Sequence, residues 1–246
     1  MLEEGRGRLR LRTAADAEKN VPQARFDECL RDVAHDLRSP LTAVGGFVKL
    51  LERDLEPRLD EAARAYFEQL RIGIDRMHSM LESLIELGCI GSSALNATLL
   101  APSEGFRQLG AELKPLLEEK SITLRLPSDA SPLFADPTRF SQVLLNLVTN
   151  AIQHMGDVPD PEIRLDVEDE PGGATLIVQD NGTGIPEEAH ARIFELFHCA
   201  RANGARPASG LGLGIVKRIM DAHGGRIEVQ SRPDHGARFL AFFPNP

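Results

Sequence analysis

The sequence predicts an α+β protein in two parts, an antiparallel helical hairpin followed by a two-layer sandwich of helices on a sheet. Three observations carry this expectation. Leu30, Ala34, Leu37, Leu41, Val44, Val48, Leu51 and Leu55 recur at alternating spacings of four and three, a strict heptad seam. Ala63, Phe67, Leu70, Ile74, Met77, Leu81, Leu84 and Gly88 repeat the rhythm. Beyond Gly88 the period changes to short alternating stretches mixed with amphipathic ones, and these do not sort into regular strand–helix–strand repeats, which favours an α+β sandwich over a doubly wound sheet.

Each element follows from local signals. Glu56-Pro57-Arg58 breaks the first seam and leaves room only for a tight turn, so the hairpin spans about 25–88. One hairpin has too little surface to bury alone. Two pair into a four-helix bundle, so a homodimer through the hairpin is expected. Gly88, Gly91, Ser92 and Ser93 mark a linker. A strand is expected at 95–100, a helix at 102–120, a strand at 122–126 and a strongly apolar helix at 138–155 closed by Gly156. Strands at 162–167 and 174–179 come next, then a short helix at 187–197 and a loop with Gly204 and Pro207. A helix at 211–223 ends at Gly224-Gly225 as a left-handed cap would, and strands at 226–230 and 237–243 close the domain. The organisation expected is a charged segment at 1–25, the hairpin at 26–90 and the sandwich at 94–246.

Composition narrows the function classes. The 28 Lys+Arg against 37 Asp+Glu give a formal charge of −9, which argues against nucleic acid as the main partner. With 42% hydrophobic and 26% charged residues, the chain is not disordered throughout. No apolar run reaches the roughly 20 residues of a membrane helix, and the charged start is not a signal peptide, so a cytoplasmic protein is expected. Cys29, Cys89 and Cys199 are odd in number and widely spaced, forming neither a disulfide framework nor a zinc knuckle. Arg6, Arg8, Arg10 and Arg12 read as a solvated tail.

Four places carry candidate chemistry. His35 lies one position past the seam residue Ala34, so it points off the bundle core, with Asp36 beside it and Pro40 expected to interrupt the helix one turn later. Taken alone it is a surface histidine; beside a carboxylate, a neutral imidazole is also a nucleophile. Asn146 and Asn150 share one face of the 138–155 helix, either as satisfied core amides or as oxygen ligands for Mg²⁺. D-N-G-T-G at 180–184 follows a strand, where Gly182 and Gly184 permit tight turning and the Asp180 carboxylate offers acceptors suited to an adenine amino group. G-L-G-L-G at 210–214 opens a helix, whose first amides can cradle phosphates.

In this order, these strings resemble the catalytic core of the sensor histidine kinases of two-component systems. H-D-L-R-S-P-L-T at 35–42 resembles their phospho-acceptor box, N-L-V-T-N-A at 146–151 the N box, and the two glycine strings the G boxes. Phe194-Glu195-Leu196-Phe197 is similar to the F box, with Leu196 where proline is usual. The resemblance covers roughly 26–246. It implies a Bergerat-type ATP-binding sandwich, shared with chaperone, gyrase and mismatch-repair ATPases. It also implies ATP and Mg²⁺ as cofactors, Asn150 on the metal and Asp180 on adenine. Nucleotide contacts are implied from Asn146, Gly182, Gly184, Gly210, Leu211, Gly212 and Leu213. A lid at 198–209 would carry Arg201 and Arg206 as candidate phosphate contacts. The hydrolytic relatives place a water-activating Glu where this chain has Asn146, which favours transfer over hydrolysis. His35 would accept the phosphoryl group with Asp36 orienting it, and pass it to an aspartate of a response-regulator receiver domain. Asp36-Leu37-Arg38-Ser39 matches an acidic-x-x-polar pattern tied to dephosphorylation, with Ser39 in place of Thr or Asn. Gln153, His154, Leu196 and Ala208 depart from the usual pattern, which leaves a nucleotide-binding pseudokinase or dimeric scaffold as the alternative. An anti-sigma-type Ser/Thr kinase fits less well, since that class lacks the histidine hairpin. Input would come from an upstream sensor.

Overall fold

The structure is a computed structural model that describes residues 14–56, 59–90, 95–196, 198 and 210–246, with side chains from residue 29 onward. The expectations for Arg6, Arg8, Arg10 and Arg12, the Pro57 turn, the linker residues Gly91, Ser92 and Ser93, Phe197, Cys199 and the lid with Arg201, Arg206 and Ala208 lie outside the described residues.

Two helices form the N-terminal hairpin, α1 (Ala14–Leu55) and α2 (Glu61–Ile90). Helix α1 starts eleven residues earlier than the seam suggested and runs through Pro40 without a break, contrary to the expected interruption. Proline there deletes one intrahelical bond, but α1 packs along α2 and the helix stays continuous. The Thr42 hydroxyl also donates to the Arg38 carbonyl in the same turn (2.9 Å). Asp60 caps α2 through its Oδ1, which accepts from the Ala63 amide (2.8 Å).

Alternate seam positions are unequally covered within one chain. Ala34, Ile74 and Leu81 are buried, whereas Leu37, Val44, Leu51, Leu70 and Met77 are exposed. Phe47 and Tyr66, outside either seam, are exposed as well. The expected end of the hairpin needs correction: Gly88 is not a linker residue but a buried position in α2, which continues to Ile90. Leu87 and Ile90 sit in the sandwich core, and Arg139 Nη2 donates to the Cys89 carbonyl (3.3 Å), so burial carries the helix past its glycine.

The sandwich places α3 (Pro102–Glu119), α4 (Pro137–Gln153) and α5 (Gly212–Ala222) on one face of a five-stranded sheet. The strands are β2 (Thr123–Arg125), β4 (Glu162–Glu170), β5 (Gly173–Asp180), β6 (Arg226–Ser231) and β7 (Ala237–Pro244). Their order is β2-β4-β5-β7-β6, with β2 parallel to β4 and the other pairs antiparallel. The first strand, β1 (Thr98–Leu100), is shorter than expected, and it pairs with β3 (Leu133–Ala135), which the sequence reading did not find. The helix expected at 187–197 is a single 3-10 turn, Glu187–Ala189, followed by turns. Burial of Ile193 and the edge-on packing of Phe194 against Phe239 (centroids 6.4 Å apart) hold that segment in place of helical bonding.

The core lies between the helices and the sheet. Val143, Leu147 and Val148 of α4 and Ile215, Val216 and Ile219 of α5 meet Ile163, Leu165, Leu176, Val178, Phe239 and Phe243. Strand residues alternate between this face and the outside, as the pleat requires. Asp136 caps α4, its Oδ1 accepting from the amides of Thr138 (3.0 Å) and Arg139 (3.1 Å). His223 ties the far end of α5 to the same corner: its Nδ1 donates to the Ile219 carbonyl (2.8 Å), and its Nε2 accepts from the Asp136 amide (3.1 Å). Gly224 takes a positive φ of 69° and Gly225 donates to Met220 (2.9 Å), the left-handed cap expected there. Replacing fully buried Phe239 with alanine is expected to lower stability by about 3–5 kcal/mol, read as a lower urea midpoint.

Candidate functional site

The chemistry-bearing residues fall into two groups. The first is on the hairpin. Ala34 points into the helix pair and is fully buried, so the next residue turns outward and the His35 side chain is 81% exposed. Asp36 is 87% exposed, and its Oδ1 lies 3.7 Å from His35 Nδ1, within ion-pair reach but too long for a hydrogen bond. Arg38 and Ser39 continue the exposed surface. Nothing covers the imidazole among the described residues.

The second group lies at one end of the sandwich, where α4, the loop after β5, the start of α5 and the β6–β7 turn converge. The two asparagines of α4 separate in role. Asn146 Nδ2 donates back to the Gln142 carbonyl (2.8 Å), while its Oδ1 faces α5. A Cβ on Gly212 would stand 2.8 Å from that oxygen, so only glycine lets the two helices approach this closely. One turn on, the half-buried Asn150 carboxamide has no hydrogen-bond partner among the described residues.

Asp180 ends β5 and is buried. Its Oδ1 accepts from the amides of Gly182 (2.9 Å) and Ala237 (3.2 Å), leaving Oδ2 for a ligand. Burial pushes the carboxyl above the ordinary aspartate range, and those two donors offset part of the effect. The β6–β7 turn holds this loop in shape. Gly236 donates to the Gly182 carbonyl (2.9 Å), Asp234 to the Thr183 carbonyl (2.8 Å), and Ile185 to Ser231 Oγ (2.8 Å). Gly236 has φ +71°, and any Cβ there would strike the Asp180 carbonyl; Gly184, at φ +69°, meets the Arg232 carbonyl in the same way. Ser231, Gly236 and Ala237 are thus part of the site although the sequence reading passed over them. Pro233-Asp234-His235-Gly236 reads as a hairpin turn, but no local signal says that it packs on a loop fifty residues earlier.

Helix α5 begins at Gly212 with no side-chain cap, so its first amides are open to an anion. Leu211 is fully buried and Leu213 packs on the core, so these two meet a ligand only through the backbone. Gly210, at φ +68°, turns the chain into the helix. Leu196 fits against Gly214, where a Cβ would come within 2.5 Å of Leu196 Cδ2. His154, at the end of α4, is largely buried and pushed below the usual imidazole range by that burial, and its carbonyl receives Thr183 (3.2 Å from the amide). Among the described residues no group of three or more His, Cys, Asp or Glu gathers as a metal cage, and no helix is long and apolar enough to cross a membrane.

Fold and site therefore define a phospho-acceptor-type helical hairpin joined to an ATPase-type sandwich. Two family models match the chain in that order: the His Kinase A (phospho-acceptor) domain over 27–93, and the histidine kinase-, DNA gyrase B- and HSP90-like ATPase over 135–246. The methanogenesis regulatory histidine kinase FilI of Methanothrix harundinacea is 29% identical over 100% of this chain and 27% of its own length. Among solved structures, full-length ShkA in complex with AMPPNP superposes with a TM-score of 0.69 at 29% identity, covering 89% of this chain and 47% of that one. The histidine kinase ThkA in complex with response regulator protein TrrA gives 0.65 at 26% identity, over 94% and 66%. The chain belongs to the histidine kinase family. It spans between 24% and 63% of the length of the curated relatives it matches.

Proposed function

We propose that this chain is the catalytic core of an ATP-dependent protein histidine kinase that phosphorylates its own His35 and passes the phosphoryl group to an aspartate of a response-regulator receiver domain. The observation that carries the proposal is the pairing of an exposed His35 beside Asp36 with a glycine-cradled, buried Asp180 in the same chain. The complex of ThkA with its regulator supports the receiver partner, and the AMPPNP complex of ShkA supports ATP. In the transfer, a bond forms between an imidazole nitrogen and the γ-phosphorus as the bridging oxygen–phosphorus bond breaks, and ADP leaves. Asp36 stands beside Nδ1, so a small side-chain rotation would let it accept the Nδ1 proton and leave Nε2 as the nucleophile. Asp180 Oδ2 accepts from the adenine amino group, and the amides of α5 receive phosphate oxygens.

Mg²⁺ fits the residues present: a hard cation takes oxygen ligands, and the unpartnered Asn150 carboxamide would supply one. When bound, it neutralises phosphate charge during transfer. The exposed seam residues Leu37, Val44, Leu51, Leu70 and Met77 support a homodimer through the hairpin. Ser39, one turn from His35, supports a dephosphorylating role for the same surface. Input would come from an upstream sensor, with the core working in the cytoplasm.

Incubation with γ-labelled ATP and Mg²⁺ tests the reading. The label should be acid-labile and alkali-stable, and it should move to a receiver domain. Asn150→Ala should cut labelling at least about a hundredfold with an unchanged unfolding midpoint, since its side chain holds nothing else in the fold. Full labelling in that variant would reduce Asn150 to a bystander.

A further inference from the structure

The outward face of the sheet carries an arrangement that the kinase reading does not use. Strand register sets five side chains in one row: Arg125 stands opposite Arg164, Arg164 opposite Gln179, Gln179 opposite Arg238, and Arg238 opposite Gln230. Directly opposed residues point to the same side of a sheet, about 4.8 Å apart. Their chain neighbours Leu165, Val178 and Phe239 are buried beneath the helices, so the row faces away from them. It contains three guanidinium groups, two carboxamides and no acid, in a chain of net charge −9.

The two ends of the row differ. Arg125 and Arg164 both pair with Glu162, which draws their charge inward. At the other end Arg238 has a single contact with Glu168, through Nη2 at 3.2 Å, and its Nε is buried with no hydrogen-bond partner. An unmet buried donor is destabilising, so this guanidinium gains by turning to an acceptor. Arg232, in the adjoining turn, has no carboxylate partner among the described residues. Here the surface opens into a groove of about 260 Å³ lined by Gln179, Gln230, Arg232, His235 and Arg238. Asp180 borders it from the opposite side of the pleat through the shared turn residues Ser231, Gly236 and Ala237, with its Oδ1 engaged by the Gly182 and Ala237 amides.

We infer that this groove is a second binding site, separate from the nucleotide cleft, for the carboxylate or phosphate group of an acidic ligand. The guanidinium forks of Arg232 and Arg238, flanked by the carboxamides of Gln179 and Gln230, match the planar or tetrahedral oxygens of such groups.

The test uses the full chain saturated with ADP and Mg²⁺, so that the cleft is filled. Malonate is titrated in one arm and inorganic phosphate in the other, at ionic strength held constant with NaCl. Amide NMR shifts are followed for Gln179, Gln230 and Arg238. The expected result is a saturable shift centred on these residues in at least one arm, weakened about tenfold in Arg238→Gln and in Arg232→Gln. Saturation with malonate alone identifies a carboxylate ligand, and with phosphate alone a phosphorylated one. Arg232→Gln changes an exposed side chain, so it reports even if Arg238→Gln folds poorly. Shifts that do not saturate, that spread over the surface, or that keep wild-type affinity in Arg232→Gln overturn the proposal.

Discussion

His35→Gln is expected to abolish acid-labile label from γ-labelled ATP while leaving the chain folded and able to hold nucleotide. This is the largest effect expected of any single substitution, because it removes the only atom that forms the new bond. The structure separates the chemical cost from the structural one. The imidazole is 81% exposed and its nearest charged neighbour, Asp36, stands 3.7 Å away and equally exposed, so glutamine leaves no cavity and no orphaned buried group. Such surface changes fall within about 0.5 kcal/mol of wild type. Three readings are therefore needed from one variant: no label, an unfolding midpoint close to wild type, and unchanged affinity for a fluorescent ATP analogue. Label retained at wild-type level would place the acceptor elsewhere and remove the hairpin from the chemistry.

How much of this was legible beforehand depends on the range of the forces involved. Heptad periodicity is local, so Ala34 inward and His35 outward followed from position alone, and both stand as expected. The left-handed stop at Gly224 is likewise short-range, and the ends of α4 and α5 fall within two residues of expectation. What failed was set by partners distant in the chain. Strand β3 is three residues bounded by proline, and it exists because Thr98–Leu100 lies beside it. Pro40 signals a break that packing along α2 overrides, and Gly88 signals a stop that burial of Leu87 and Ile90 overrides. The segment after Ala189 has helical composition but gains more from seating Ile193 and Phe194 than from helical bonds. In the site, Asp180, Gly182 and Gly184 were readable as a motif. The turn that holds them, Ser231 to Ala237, was not, because the bond from Ala237 to Asp180 spans 57 residues.

The Asp180→Asn variant should lose nucleotide and gain stability, a pairing that follows from where the two carboxylate oxygens point. Oδ1 accepts from two backbone amides, so an asparagine must place its carbonyl oxygen there and present Nδ2 where Oδ2 stood. That turns an acceptor for the adenine amino group into a donor facing a donor. Sites built to hydrogen-bond a ligand group reject a mismatch strongly, and a loss of about 10²–10³-fold in ATP affinity is expected. Stability moves the other way. Burial raises the native carboxyl above the ordinary aspartate range, so the folded state holds its proton to higher pH than the unfolded chain does. Wild-type stability consequently falls as pH rises between the ordinary aspartate range and that raised value, and the penalty of a buried charge is fully present above it. Asparagine carries no such charge. Urea unfolding at pH 7 should therefore place the variant's midpoint above wild type, and the gap should close as the pH is lowered through the native value. A variant less stable than wild type at pH 7, with the gap narrowing in acid, would mean that the two amide donors outweigh burial and that Asp180 stabilises the fold in its charged form.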